Sequence, residues 1–127
     1  MTRTRILIAD DHEIFRKGLR SLVESAPGWE VCGEAANGVE ALEEARKLAP
    51  DVIIMDIGMP YLNGLDATKQ IRKELPQIRV LVLSQHDSSP MLTAAIDAGA
   101  SAYITKAQAA HDLLTALERV AAGRSFP

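Results

Sequence analysis

Two apolar runs in this chain end in aspartate, Ile6-Leu7-Ile8-Ala9 into Asp10-Asp11 and Val52-Ile53-Ile54-Met55 into Asp56, and a third, Val80-Leu81-Val82-Leu83, ends in Ser84. Strands that read as continuous hydrophobic runs lie in the middle of a parallel sheet, and ligand chemistry in such sheets sits at the carboxyl ends of the strands. Three carboxylates and a hydroxyl are therefore expected to meet at one edge. Neighbouring carboxylates repel, and the arrangement persists most easily around a divalent cation. Oxygen ligands with room for several waters suit magnesium, which brings a phosphate oxygen as a further ligand. A carboxylate beside such an ion can act as a nucleophile toward phosphorus. Phosphoryl transfer then needs alignment and positive charge around the equatorial oxygens. Lys106 can supply that charge and Ser84 a hydrogen bond.

The elements that must position these groups follow from periodicity. Arg5 to Ala9 reads as a first strand, and Ile14, Phe15, Gly18, Leu19, Leu22 and Val23 then recur at helical spacing until Pro27-Gly28. Trp29 to Glu34 is a second strand. Asn37-Gly38 leads into a helix ended by Pro50, and Asp51 to Met55 is a third strand. Asn63-Gly64 opens another helix, followed by a strand over Ile78 to Leu83. A helix over Ser89 to Ala98 stops at Gly99, where a left-handed cap favours glycine. Ala102 to Ile104 is a short fifth strand, and a last helix carrying Leu113, Leu117 and Val120 ends before Gly123. Five strands alternating with five helices predict an α/β fold with right-handed crossovers and a parallel sheet covered on both faces. The natural doubly wound order is 2-1-3-4-5, which sets Asp10, Asp11 and Asp56 side by side. Pattern alone leaves other orders open.

Composition narrows the function classes. The 127 residues, 47% hydrophobic and 24% charged, suit one soluble globular domain, expected over residues 1–122 with a tail at 123–127. Net charge is −3, and basic residues gather only as Arg16-Lys17, Arg46-Lys47 and Arg72-Lys73. Such pairs belong to solvated helix faces, so this stretch by itself has no electrostatic footprint for DNA. The single Cys32 excludes a disulfide framework and is expected to be a buried thiol. No apolar stretch is long enough for a bilayer and no signal-peptide core precedes the first strand, so no membrane partner and a cytoplasmic location are expected. His12, His86 and His111 share no metal-ligand spacing. His12 and His111 read as surface residues at helix starts, His86 as a loop residue on the rim of the site, Met55 and Met59 as packing residues, and Trp29 as cover for the edge of the second strand.

With these residues in view, the chain resembles the receiver (CheY-like) domain of two-component response regulators over nearly its whole length. The matching pieces are Ile8-Ala-Asp-Asp11, Ile54-Met-Asp-Ile-Gly-Met-Pro60 followed by Asn63-Gly64, Leu83-Ser84, and Ala100-Ser-Ala-Tyr-Ile-Thr-Lys106. Wording such as Leu83-Ser-Gln-His86 and Asp112-Leu-Leu-Thr-Ala-Leu117 looks like the NarL/FixJ (LuxR-type) class, in which the receiver precedes a helix-turn-helix DNA-binding domain. The resemblance implies that Asp56 accepts a phosphoryl group from a phosphohistidine on a sensor histidine kinase. It implies that Asp11 binds magnesium directly together with Asp56 and the Gly58 carbonyl, that Asp10 does so through water, and that Ser84 and Lys106 bond the phosphoryl oxygens. Tyr103 is implied as the aromatic that turns inward when Ser84 is drawn to the phosphate, with homodimerisation on phosphorylation through helices 1 and 5 or the helix 4–strand 5–helix 5 face. Gln85 and His86 line the rim. Gly58, Gln85 and Ala107 depart from the commonest family wording, which has a longer residue, a small residue and a proline there.

Such a domain is no enzyme toward external substrates and catalyses only its own phosphorylation and dephosphorylation. An aspartate-nucleophile phosphohydrolase also uses a parallel sheet, magnesium, a hydroxyl and a lysine, but resembles Asp-x-Asp at the nucleophile, and Gly58 stands two residues after Asp56. Neither phosphate-loop motif of nucleotide-binding modules occurs. DNA contact is expected only through a C-terminal domain absent from this sequence, since Ser125-Phe126-Pro127 resembles the start of the linker in this class. A stand-alone receiver is the alternative.

Overall fold

The structure is a computed structural model that describes residues 3–85 and 88–123. Its ten elements alternate without exception: β1 (Thr4–Ala9), α1 (Glu13–Glu24), β2 (Trp29–Ala35), α2 (Gly38–Leu48), β3 (Val52–Asp56), α3 (Gly64–Glu74), β4 (Arg79–Ser84), α4 (Ser89–Asp97), β5 (Ala102–Thr105) and α5 (Lys106–Ala121). The sheet is parallel throughout in the order β2-β1-β3-β4-β5, as expected. Boundaries differ from the expected ones by a residue or two. β3 runs on through Asp56, β4 through Ser84 and β5 through Thr105, because each of these residues still pairs with its neighbouring strand: Asp56 with Leu83 and Ser84 with Thr105.

Strand side chains alternate between the two faces of the sheet. Ile6, Ile8, Val52, Ile54, Leu81, Leu83 and Ile104 enter one core with Leu19 and Val23 of α1 and Leu113, Leu117 and Val120 of α5. Leu7, Ala9, Ile53, Met55, Val80, Val82 and Tyr103 enter the other with residues of α2, α3 and α4. Burial of both faces explains why these strands carry no polar alternation. Met55 and Met59 are buried there as packing residues, and Trp29 is half-buried against the α1–α5 core.

Cys32 departs from its expected burial. Ile6 pairs with Val31 and Leu7 with Gly33, so Cys32 is the extra residue of a β-bulge and is only half-buried.

Local signals set the starts of the helices that bear on the site. Asn37 and Asn63 accept hydrogen bonds from the amides of Glu40 and Asp66, capping α2 and α3. Thr105 and Gln108 form a reciprocal capping box, which places Lys106 at the first residue of α5.

Candidate functional site

The carboxyl ends of β1, β3, β4 and β5 meet at one edge, and the site is built there. Asp10 is fully buried: its amide donates to the Ala35 carbonyl at 2.9 Å, and its Oδ1 accepts from the His12 amide at 2.8 Å. Among the described residues Asp10 Oδ2 accepts no hydrogen bond, and the Lys106 ammonium lies 3.1 Å from it. Asp56 is also buried; its Oδ2 lies 3.2 Å from Lys106 Nζ and its Oδ1 accepts from the Gly58 amide at 3.2 Å. Burial pushes the Asp56 carboxyl above the ordinary carboxylate range, the Asp10 carboxylate pushes it further, and Lys106 and the Gly58 amide pull back without cancelling the rise. Asp11 stands at the rim with its side chain 30% exposed.

Two buried carboxylates, Asp10 and Asp56, thus share the Lys106 ammonium, and Asp11 lies in the same acidic cluster. Lys106 itself sits against its helix's preference, since a cation at the first residue of a helix faces the positive end of the dipole. It is held by the acids on one side and on the other by the Phe15 ring, whose centroid is 4.7 Å from Nζ.

Asp10, Asp11, His12 and Asp56 each offer one ligand atom within 4.8 Å of the others. With a buried oxygen that accepts no hydrogen bond and an uncompensated negative charge, this oxygen-rich set fits a hard divalent cation.

Ser84 ends β4 beside Asp56, nearly buried, and strand alternation turns it to the same face of the sheet as Tyr103. Tyr103 is inside, 7% exposed. Gly58 is exposed, and a Cβ there would have only Asp56 Oδ1 nearby, at 4.0 Å. Gln85 lines an open depression of about 390 Å³ with His12, Ile14, Phe15 and Lys106; His86 lies outside the described residues.

His12 is exposed at the start of α1, as expected, but sequence reasoning did not bring it to the acids. Its side chain is half-exposed, yet Nδ1 lies 3.2 Å from Asp10 Oδ1, 3.4 Å from Asp11 Oδ1 and 3.0 Å from Lys106 Nζ. It occupies the N-cap position of α1 without capping it, so its ring is free to turn over the acids. The available signal was its place directly after the acidic pair. His111 is exposed on α5, as expected.

A doubly wound parallel sheet with paired acids, a hydroxyl and a lysine at its carboxyl edge has the groups that phosphoryl chemistry needs. Comparison with known proteins makes the class specific. Residues 6–118 match the family model described as response regulator receiver domain. The chain is 38% identical to a LuxR-family two-component response regulator from Aurantimonas sp. SI85-9A1, with a TM-score of 0.94 over 99% of this chain and 90% of that one. The receiver domain of the putative response regulator NarL from Mycobacterium tuberculosis superposes with a TM-score of 0.93 at 30% identity, over 98% of this chain and all of that one. The transcriptional regulatory protein DegU of Brevibacillus brevis is 39% identical over 98% of this chain and 52% of its own length. This chain belongs to the response regulator receiver domain family, in the LuxR/NarL class, and spans about half the length of the curated relatives it matches. Among the described residues no helix is long and apolar enough to cross a membrane.

Proposed function

We propose that Asp56 is the phosphoacceptor of a two-component phosphotransfer, taking the phosphoryl group of a phosphohistidine on a sensor histidine kinase. The observation that carries this reading is the pairing of Asp56 Oδ2 with Lys106 Nζ at 3.2 Å within the acidic cluster at the end of β3. A carboxylate oxygen of Asp56 attacks phosphorus, the phosphorus–nitrogen bond breaks, and the histidine leaves with the electron pair. Lys106 and Ser84 bond the transferred oxygens. Asp11, Asp56 and the Gly58 carbonyl would hold magnesium directly and Asp10 through water; when bound, the ion offsets the charge of the acids and of the phosphoryl oxygens.

Lys106 is shared between Asp10 and Asp56. A new dianion on Asp56 draws it from Asp10, and Ser84 follows the phosphoryl group. Ser84 and Tyr103 share a sheet face, so Tyr103 can repack toward the space Ser84 vacates and change the α4–β5–α5 surface, a population shift driven by the phosphate's preference for one state. The domain catalyses only its own phosphorylation and dephosphorylation. In a longer parent protein, dimerisation on phosphorylation and DNA binding by a further domain would carry the output; DegU's description as a transcriptional regulatory protein supports a transcriptional output.

Acetyl phosphate with magnesium should add one phosphoryl group, read by intact-mass spectrometry. Asp56→Asn should take none, and equal incorporation in that variant overturns the assignment.

A further inference from the structure

We infer that Arg16 is a positioning residue for the acidic pair, acting through the main-chain carbonyl of Asp10 and held in place by Glu34 and Arg20. This rests on the reading of Asp10, Asp11 and Asp56 as a magnesium site.

The Asp10-Asp11 pair lies just past β1, where the ladder that aims strand residues has ended. The Asp10 amide still takes the last bond from β2, to the Ala35 carbonyl. The Asp10 carbonyl has no strand left to pair with, and Arg16 Nη1 donates to it at 2.6 Å. That carbonyl belongs to the planar peptide joining Asp10 to Asp11, so its direction sets where the Asp11 amide and side chain project. Arg16 therefore bears on the one carboxylate of the cluster that lies at the rim and that no strand holds.

The guanidinium is itself fixed from a distant part of the chain. Arg16 Nε donates to Glu34 Oε1 at 2.7 Å, and the other oxygen of Glu34 is taken by Arg20 Nη1, one helical turn further along α1. The Arg16 side chain is 17% exposed and Glu34 27%, so solvent screens this network only in part. Burial pushes the Glu34 carboxyl up, but the bonds from Arg20 and Arg16 outweigh it and leave the group below its ordinary value. A guanidinium is a planar fork whose donors keep fixed angles, so one side chain ties β2 to the β1–α1 loop. A lysine could reach one of the two acceptors without fixing the angle to the other. The charge of Arg16 is matched by Glu34, so it orients the acids without displacing a cation from them.

The test is a magnesium titration of the wild type, Arg16→Ala, Arg16→Lys and Glu34→Gln, followed by the amide shifts of Asp11 and Gly58 in 15N spectra, with melting in EDTA as the check of fold. Arg16→Ala should weaken magnesium binding about tenfold, the lower end of what loss of an outer-shell partner costs a metal site. Arg16→Lys and Glu34→Gln should fall between it and the wild type. In an Asp11→Asn background the Arg16→Ala loss should shrink to within about twofold, because the residue it positions is no longer a charged ligand. A wild-type midpoint in folded Arg16→Ala overturns the inference, as does a full tenfold loss that persists in the Asp11→Asn background. Should Arg16→Ala fail to fold, wild-type midpoints in both Arg16→Lys and Glu34→Gln overturn it instead. A wild type whose spectrum ignores magnesium sinks the metal reading and this inference together; a responsive wild type with unmoved variants sinks this inference alone.

Discussion

The two edges of the sheet both carry charged side chains and treat charge in opposite ways. At the amino edge, Arg5 Nη1 donates to the carbonyls of Leu48 and Ala49 at the end of α2, while its amide donates to Asp51 Oδ2 at 2.8 Å. Arg79 does the same for Val120 and Ala121 at the end of α5, and Arg72 for Pro76 and Ile78 after α3. Each cation there meets the negative end of a helix or a free carbonyl, which satisfies otherwise orphaned groups. At the carboxyl edge, Asp10 and Asp56 share one lysine that stands at the wrong end of its own helix, with Asp11 in the same acidic cluster. The amino edge serves stability, and the carboxyl edge gives up stability to hold acids together, a cost that a bound cation would offset.

Substitutions at the two edges should therefore differ in kind. The largest loss is expected for Gly64→Ala, since a Cβ there would lie 2.1 Å from the Asp56 carbonyl oxygen. Overpacking of this sort typically costs about 1–3 kcal/mol. Chemical denaturation should show that loss, along with slower acetyl phosphate labelling as the acceptor strand shifts; a variant with wild-type stability would mean that the close packing of α3 on Asp56 is not needed.

Next comes Arg5→Ala at the amino edge, which strands two carbonyls and should cost about 1–2 kcal/mol of stability. Its phosphoryl capacity at 25 °C should be unchanged. Loss of labelling in a folded Arg5→Ala would break the division of labour between the edges.

Asp56→Asn should move the other way. Removing one of the buried like charges should raise the stability of the metal-free protein, within the range of about 0.5–2 kcal/mol common for stabilising changes. Magnesium at ten times its Kd should add about 1.4 kcal/mol to the wild type through preferential binding to the folded state, and much less to the variant. A melting temperature indifferent to magnesium in the wild type would remove the cation from the comparison.

The smallest effect is the pH signature. Asp56 has a raised folded value, so its contribution is present below its unfolded value of 3.8 and is lost as pH rises through the folded one. Glu34 has a lowered folded value, so its contribution is present above 4.5 and is lost as pH falls through the folded one. The stability gap between wild type and Asp56→Asn should widen with rising pH above 3.8. The gap between wild type and Glu34→Gln should close on acidification below 4.5. Parallel curves for the two variants would erase the distinction drawn here.

Much of the site was legible because it is written at strand ends. A buried strand must be apolar, so the first polar residue after it marks the edge, and Asp10, Asp56 and Ser84 are read off directly. Lys106 could have been placed more sharply, since Thr105-Lys106-Ala107-Gln108 carries the capping-box pattern that starts α5. The bulge at Cys32 was not legible, because an alternation of apolar and polar residues looks the same with or without one extra residue opposite Ile6 and Leu7. The surface reading of His12 held, but its turn over the acids was not legible, because local sequence does not show which way an exposed histidine at a helix start points.

By itself the sequence determined the element order, the two-sided burial of the strands and the chemistry available at their ends. These depend on hydrophobic periodicity and on residues a few positions apart. Tertiary structure decided what depends on distance through space: the order β2-β1-β3-β4-β5, the shared pairing of Lys106 with Asp10 and Asp56, and the bond from Arg16 to a carbonyl that Glu34 helps to aim. Residues 10, 56 and 106 are far apart along the chain, and only the crossovers that return each strand to the same sheet bring their charges within a few ångströms.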